Sequence, residues 1–277
     1  MSSKAKYVID PVDGLPALSV GFWSADKTDR IRRYVDACWA VRTRFPQRAY
    51  VDLFCGPGRV YERFGKMWQD GSAVSAFSQS VKKGGAFTKF IVGDIDPTNL
   101  DSCAQRIRTR GGSPTVLLGP ADKTVVSAVE HLAGSGLSLA VLDPFNLNLL
   151  QFSVISALAK LKHVDIIVHF SLMDLRRNLI TQYRDHGGSF DLVAPDWRAN
   201  VRAEELNKRE APHLFESYWI NLIEKTGLKA AVNRPVFRNV KRHELYRLIL
   251  FGDYQRSGTG FRSALRIRSN KSEVRWL

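Results

Sequence analysis

No two cysteines in this sequence stand close enough to frame a metal ion or a tight disulfide. There are three, Cys38, Cys55 and Cys103, an odd number at wide spacings, with no Cys-x-x-Cys and no His-x-x-x-His. A zinc site therefore has little support, no metal is expected, and the thiols fit a reducing compartment. Long apolar runs are missing as well: nothing approaches the roughly 18 to 20 apolar residues of a membrane span. The basic start, Met1 to Tyr7, is followed by no apolar leader, so a cytoplasmic chain with no membrane partner is expected. No low-complexity tract or repeat period appears. Acidic residues are the remaining shortage, 27 against 41 Lys and Arg, for a formal net charge of +14. Much of the excess lies from Lys229 to Leu277, where 12 basic and 3 acidic residues fall. A local field of that sign attracts polyanions, of which phosphate backbones are the commonest, and nucleic acid is the expected partner. A solubilising surface would read the same way.

What is present reads as an α/β protein. The 277 residues, 44% of them hydrophobic, suit one large domain. Residues 1–21, with Pro11, Pro16, Gly14 and Gly21, read as an N-terminal arm lying on a domain that spans 22–277. From Ser24 to about Phe45, Ile31, Tyr34, Val35, Cys38 and Trp39 recur at helical steps. Short apolar runs then alternate with helical patterns. Strands are predicted at Ala49–Phe54, Lys89–Gly93, Thr115–Leu118, Leu137–Leu142, Val164–Phe170, Leu228–Val232 and Leu245–Phe251. Helices are predicted near 72–83, 98–110, 122–132, 151–161, 172–183 and 213–225. Only about twelve residues join the last two strands, so a late hairpin is expected. Residues 184–212 read as an insertion or substrate loop, and 229–277 as a basic C-terminal segment.

The first predicted strand ends Val51-Asp52-Leu53-Phe54-Cys55-Gly56-Pro57-Gly58. Gly56 and Gly58 let the backbone bend and approach a ligand at the strand's carboxyl end, where open parallel sheets bind. A dinucleotide fingerprint needs a third glycine where Tyr61 stands, and a P-loop needs Ser or Thr where Met67 follows Gly65-Lys66. The aspartate-x-x-x-glycine-x-glycine loop of class I methyltransferases remains, and this segment resembles it closely. The resemblance implies a Rossmann-like fold with a seven-stranded, mostly parallel sheet covered on both faces, and S-adenosylmethionine as cofactor. Asp52, Phe54, Gly56 and Gly58 are then candidate cofactor residues. Asp94, ending the second strand, is placed to grip both ribose hydroxyls. Asp96, followed by Pro97, reads as a helix N-cap. Asp122 is a candidate acceptor for the adenine amine, with a helix-cap reading standing beside it.

The fourth strand runs into Asp143-Pro144-Phe145-Asn146. Methyltransferases of exocyclic amines place Asp, Asn or Ser before Pro-Pro and an aromatic here, so that the side-chain oxygen and the proline carbonyl accept the amine's hydrogens and the ring stacks on an extruded base. Asp143, Pro144 and Phe145 are the candidate catalytic residues, although this chain has one proline and an earlier aromatic. Carbon-5 methylation of cytosine needs a thiolate, usually from a Cys after Pro, and none of the three cysteines follows a proline. His169 and His243-Glu244 fall near the ligand edge, where a lone histidine is more often structural.

Lys27, Ile31 and Tyr34 of the early helix, Val51 to Arg59, Gly71-Ser72, Asp94-Ile95-Asp96-Pro97 and Leu142-Asp143-Pro144-Phe145 together resemble the three-Cys-motif partner protein family over roughly Phe22 to Tyr183. The long step from Pro57-Gly58 to Gly71-Ser72 is the most specific element. The resemblance implies a methyltransferase-like protein and a partner protein that itself carries the three-cysteine motif. Three readings stay open on the sequence: a methyltransferase acting on or with nucleic acid, a nucleic-acid-binding component without turnover, and a methyltransferase for a small molecule or protein.

Overall fold

The computed structural model describes residues 6–21, 23–82, 84–202, 210–239 and 242–252. Its main sheet is built from β3 (Arg48–Asp52), β6 (Lys89–Asp94), β7 (Thr115–Leu118), β8 (Leu137–Leu142) and β9 (Val164–Phe170), all parallel, with β10 (Lys229–Ala230) and β12 (Glu244–Gly252) at one side. The spatial order is β10-β12-β9-β8-β3-β6-β7. β12 runs antiparallel between β9 and β10, and a further short strand, β11 (Val236–Arg238), also pairs with it. The first long strand sits in the middle, the order reverses between β3 and β8, and a late antiparallel hairpin closes the sheet. This is the Rossmann-like class I methyltransferase fold that the sequence leads one to expect, with β11 added.

Alternation along the strands assigns the two faces. Tyr50, Val92, Leu139, Val141 and Ile167 face a cluster with Ile31, Tyr34 and Val35 of α1 (Trp23–Ala37), Ala73, Val74 and Phe77 of α3 (Ser72–Lys82), and Leu100, Cys103 and Ile107 of α4 (Pro97–Arg108). Val51, Ile91, Ala140, Ile166 and Val168 face the opposite cluster. That side is covered by α5 (Ala121–Leu132), α6 (Phe152–Leu158), α7 (Leu172–Arg184) and α10 (Glu210–Glu224). Every residue of β8 is buried, as a central strand covered on both faces requires. The early helix stops at Ala37 and a short α2 (Trp39–Arg42) follows.

A second, four-stranded sheet has no counterpart in the sequence expectations. Residues 6–21 form the hairpin β1 (Tyr7–Ile9) and β2 (Pro16–Val20), and β2 pairs in parallel with β4 (Arg59–Glu62), which turns back into β5 (Met67–Asp70). The β4–β5 hairpin fills the long step between Gly58 and Ser72. Ion pairs fasten the arm: Arg59 bridges Asp10 and Asp70, Arg110 also reaches Asp70, and Arg106 holds Asp13.

The described part of the 184–212 segment is packed rather than open. It folds into α8 (Ser189–Val193) and α9 (Trp197–Asn200), with Phe190, Val193 and Trp197 buried against Phe215. Arg198 ties it down by donating to Asp191 and to the carbonyls of Tyr183 and Asp185.

Candidate functional site

The glycine loop leaves β3 as the sheet order reverses, and its backbone groups are held from several sides. Phe54 N–H donates to Asp52 Oδ1 at 3.0 Å and Gly56 N–H to Asp94 Oδ2 at 2.9 Å. Cys55 N–H reaches the Gly93 carbonyl, and Arg106 donates to the Pro57 carbonyl. Gly56 and Gly58 have φ of +56° and +76°, the left-handed region that glycine enters without cost.

Two of the candidate cofactor residues hold the loop's own shape. Asp52 is fully buried beneath it, where its carboxylate also accepts from Ser72 Oγ at 2.8 Å and Tyr50 Oη at 3.3 Å. Burial pushes its carboxyl up to about 7, against the bonds from Ser72 and Phe54 that favour its charge. Gly58 is small because of its own neighbours: a Cβ there would sit 2.8 Å from Val74 Cγ2 and 3.1 Å from Cys103 Cα.

Asp94 ends β6 opposite Leu118. Its two oxygens accept from Gly56 N–H and, at 2.9 Å, from Asp96 N–H, which leaves further lone pairs of the carboxylate for hydroxyl donors. Burial raises its pKa despite those two bonds. Exposed apolar side chains flank it, Ile95 at 67% and Leu118 at 60%, with the half-buried Phe54 on the adjoining loop. Such a margin suits a flat heteroaromatic ring beside a ribose. Neither Ile95 nor Leu118 was a candidate on sequence, although adjacency to Asp94 could have marked Ile95. Asp96 is the N-cap of α4, accepting from Thr98 and Asn99 N–H, with Pro97 following. Asp122 lies in the first turn of α5 beside Lys123 and caps nothing; the cap position belongs to Pro120.

Across the reversal point, β8 delivers Asp143 to the same edge, since β3 and β8 are neighbours with Asp52 opposite Val141. Here the structure departs from the amine motif. Asp143 Oδ2 is ion-paired with the Lys27 ammonium of α1, and Oδ1 lies 3.5 Å from His169 Nδ1 at the end of β9. The three side chains keep 16%, 15% and 15% exposure respectively, so each still reaches the surface of the edge. Lys27 and His169 hold the Asp143 carboxyl below its usual range in spite of burial. Burial pushes the His169 imidazole down to about 4; Lys27 acts in the same direction, and Asp143 and the Pro144 carbonyl oppose it. The Pro144 carbonyl thus faces His169 rather than open space. Phe145 is 58% exposed. Behind it, Leu147 N–H donates to Asp174 Oδ2 at 2.8 Å, which fixes the turn that carries Asp143 to Phe145.

Aromatic stacking continues outward. Tyr246 lies 4.4 Å from His169 and 4.4 Å from Phe237, and the Arg30 guanidinium sits over Phe237 at 4.9 Å. Glu244 pairs with Arg176 and Arg238 at the rim, while His243 is exposed. Among the described residues no group of three or more His, Cys, Asp and Glu is placed to hold a metal ion, and no helix is long and apolar enough to cross a membrane. The three cysteines are free and buried.

No family model and no curated protein matches this chain. Among solved structures it is similar to cofactor-bound Rv0187 from MTB, with 14% identity over 83% of this chain and 85% of that one, and a TM-score of 0.46. It is also similar to the methyltransferase domain of bacterial CtHen1, with 14% identity, 82% and 98% coverage and a TM-score of 0.44. A third likeness is to M. jannaschii TYW2 in complex with AdoMet, with 9% identity, 91% and 87% coverage and a TM-score of 0.39. The strand order, rather than these distant likenesses, defines the chain as a protein of class I methyltransferase-like fold.

Proposed function

We propose that the chain is an S-adenosylmethionine-dependent methyltransferase acting on nucleic acid. The observation that supports it is the division of one sheet edge into two parts. On one side of the reversal point lie the Phe54–Gly56 bend, Asp94, Asp122 and the apolar margin of Ile95 and Leu118, which fit a nucleoside. On the other lie Asp143, Lys27 and His169, polar and half-enclosed. The cofactor would supply an electrophilic methyl group on a sulfonium. Transfer from it is an in-line displacement, so positioning and exclusion of water carry much of the rate. In this reading Asp94 takes the ribose hydroxyls, the glycine bend accommodates the chain beyond the ribose, and Asp52 with Gly58 keeps the bend in shape.

Nucleic acid as acceptor is supported by the net charge of +14 and by the arginines near the second half of the site, Arg30, Arg176 and Arg238. Of the basic segment 229–277, residues 240, 241 and 253–277 lie outside the described residues. A partner with a three-cysteine motif belongs to the same proposal and rests on the residue resemblance alone.

Calorimetric titration of S-adenosylmethionine into the purified chain, beside Asp94→Ala, tests the reading. Micromolar binding lost in the variant is expected. Absence of binding at millimolar ligand would overturn the enzyme reading and leave a nucleic-acid-binding component.

A further inference from the structure

We propose that the methylated atom is a hydroxyl oxygen, the ribose 2′-hydroxyl of RNA, with His169 receiving its proton and the Lys27–Asp143 pair orienting it. The inference rests on the reading of the chain as a nucleic-acid methyltransferase and specifies its acceptor.

The argument begins with what an exocyclic amine would need. Such an amine brings two hydrogens and one lone pair, and the lone pair must stay free to attack. Its surroundings should therefore be acceptors only. In this structure Asp143 Oδ2 is taken by the Lys27 ammonium, and the Pro144 carbonyl faces the His169 imidazole. An amine placed against Asp143 would meet a cation with hydrogens to donate and no lone pair to spare for it. A hydroxyl has the opposite inventory, one hydrogen and two lone pairs. It can accept from a remaining Lys27 N–H with one lone pair, attack with the other, and give its hydrogen to an imidazole.

His169 has the matching state. Burial keeps it neutral through the physiological range, and a neutral imidazole carries one N–H and one lone pair. Nδ1 is buried, makes no hydrogen bond and lies 3.5 Å from the Asp143 Oδ1 carboxylate oxygen, which favours the hydrogen on Nδ1 and the lone pair on Nε2. In the transfer step the hydroxyl oxygen forms a bond to the methyl carbon. The carbon–sulfur bond breaks with its electron pair passing to sulfur, leaving a neutral thioether. The hydroxyl proton passes to His169, and the imidazolium so formed lies 3.5 Å from the Asp143 carboxylate before it releases the proton to solvent. Within a nucleic-acid strand, only ribose offers an internal hydroxyl. DNA offers hydroxyls at its ends alone, which selects RNA.

The test incubates the full chain with S-adenosylmethionine labelled in its methyl group and two pools of randomised single-stranded oligonucleotides, one RNA and one DNA. The products are hydrolysed with alkali and digested to nucleosides. Label in RNA alone, in alkali-stable dinucleotides that yield 2′-O-methylnucleosides, is expected. Label on a base, in either pool, would overturn the hydroxyl proposal and leave the methyltransferase reading standing. Label in neither pool would overturn that reading and the proposal with it.

His169→Gln should lose at least 100-fold in turnover with cofactor affinity unchanged by calorimetry; turnover at the level of the unaltered chain would remove His169 from the role of base. Lys27→Met should move the acidic limb of the rate–pH profile upward, because the cation that depresses His169 is gone. Lys27→Arg should restore part of the rate. A purely structural Lys27 would lower activity with no movement of that limb, and this would overturn its positioning role. Where a variant fails to fold, the nucleoside that carries label in the unaltered chain decides the acceptor.

Discussion

The guanidinium of Arg106, on α4, donates to the carbonyl of Pro57 at 2.6 Å and so holds the middle of the glycine bend from outside the sheet. The same group reaches Asp13 at 2.7 and 2.8 Å and the Pro16 carbonyl at 2.8 Å, and it is 2% exposed. Arm, bend and helix thus share one buried cation. Asp13 is itself exposed, so what removal of the guanidinium strands is the Pro57 and Pro16 carbonyls, at about 1–3 kcal/mol for each buried acceptor left unsatisfied. Arg106→Met is expected to destabilise by about that amount for each of the two carbonyls in urea unfolding. It should also weaken S-adenosylmethionine binding and open residues 13–16 to limited proteolysis.

Gly58 and Gly14 offer a controlled comparison. Both have positive φ, +76° and +69°, but a Cβ at Gly58 meets Val74 at 2.8 Å while one at Gly14 meets nothing within 4 Å. Gly14→Ala should cost only the left-handed backbone preference, about 1 kcal/mol. Gly58→Ala adds overpacking against α3 and α4 and should cost about 2–4 kcal/mol in all. Thermal unfolding of the two variants in parallel checks the difference.

Asp165 gives the protein a pH dependence independent of the site. It is buried at the start of β9, accepts from Tyr34 Oη at 2.8 Å, and has its carboxyl pushed up to about 7 by burial. The folded state therefore binds this proton more tightly than the unfolded chain does. The contribution is complete below the ordinary carboxyl value of 3.8 and is lost as pH rises through about 7. Asp52 acts in the same direction. His169, depressed to about 4, acts oppositely and loses its contribution as pH falls from 6.5 through 4. Asp165→Asn should flatten the fall in stability between pH 5 and 8, by under about 3 kcal/mol, and denaturant titrations of both proteins across that range measure it.

The Lys27–Asp143 pair predicts a thermodynamic cycle. Lys27→Met leaves a half-buried carboxylate without its counter-ion and should cost about 2 kcal/mol, less than a fully buried pair would. Adding Asp143→Asn should return part of that loss, so that the double variant is more stable than Lys27→Met alone. Urea midpoints of the four proteins provide the coupling energy.

The sheet was legible because its strands are short apolar runs: Leu137–Leu142 and Val164–Phe170 were read to the residue. The Asp94 edge was legible for a related reason, since a loop and its acid lie at the ends of such runs. The second sheet was not. Arg59–Glu62 and Met67–Asp70 are four-residue strands without an apolar run, and what makes them strands is pairing with β2, far off in sequence. Only the family resemblance marks Lys27 in the sequence, because on a helix rich in charge it looks solvated and its partner is 116 residues away. His169 could have been placed more firmly. It shares a strand face with Ile167, which packs toward α1, and period-two alternation alone puts it on the side from which Lys27 comes.

The parallel pairing of β2 with β4 has a mechanical meaning. After β2 the chain builds α1, α2 and β3, rounds the bend at Gly56 to Gly58, and only then meets β2 again, Leu18 beside Val60. The bend is thus one corner of a closed ring of about 40 residues, drawn shut by strand hydrogen bonds of high sequence separation. A load applied ahead of Tyr7, by a fused domain or a surface tether, travels along β2 into β4 and pulls at that corner. Its earliest sign would be a change in ligand affinity at the far side of the ring, before any loss of the main sheet.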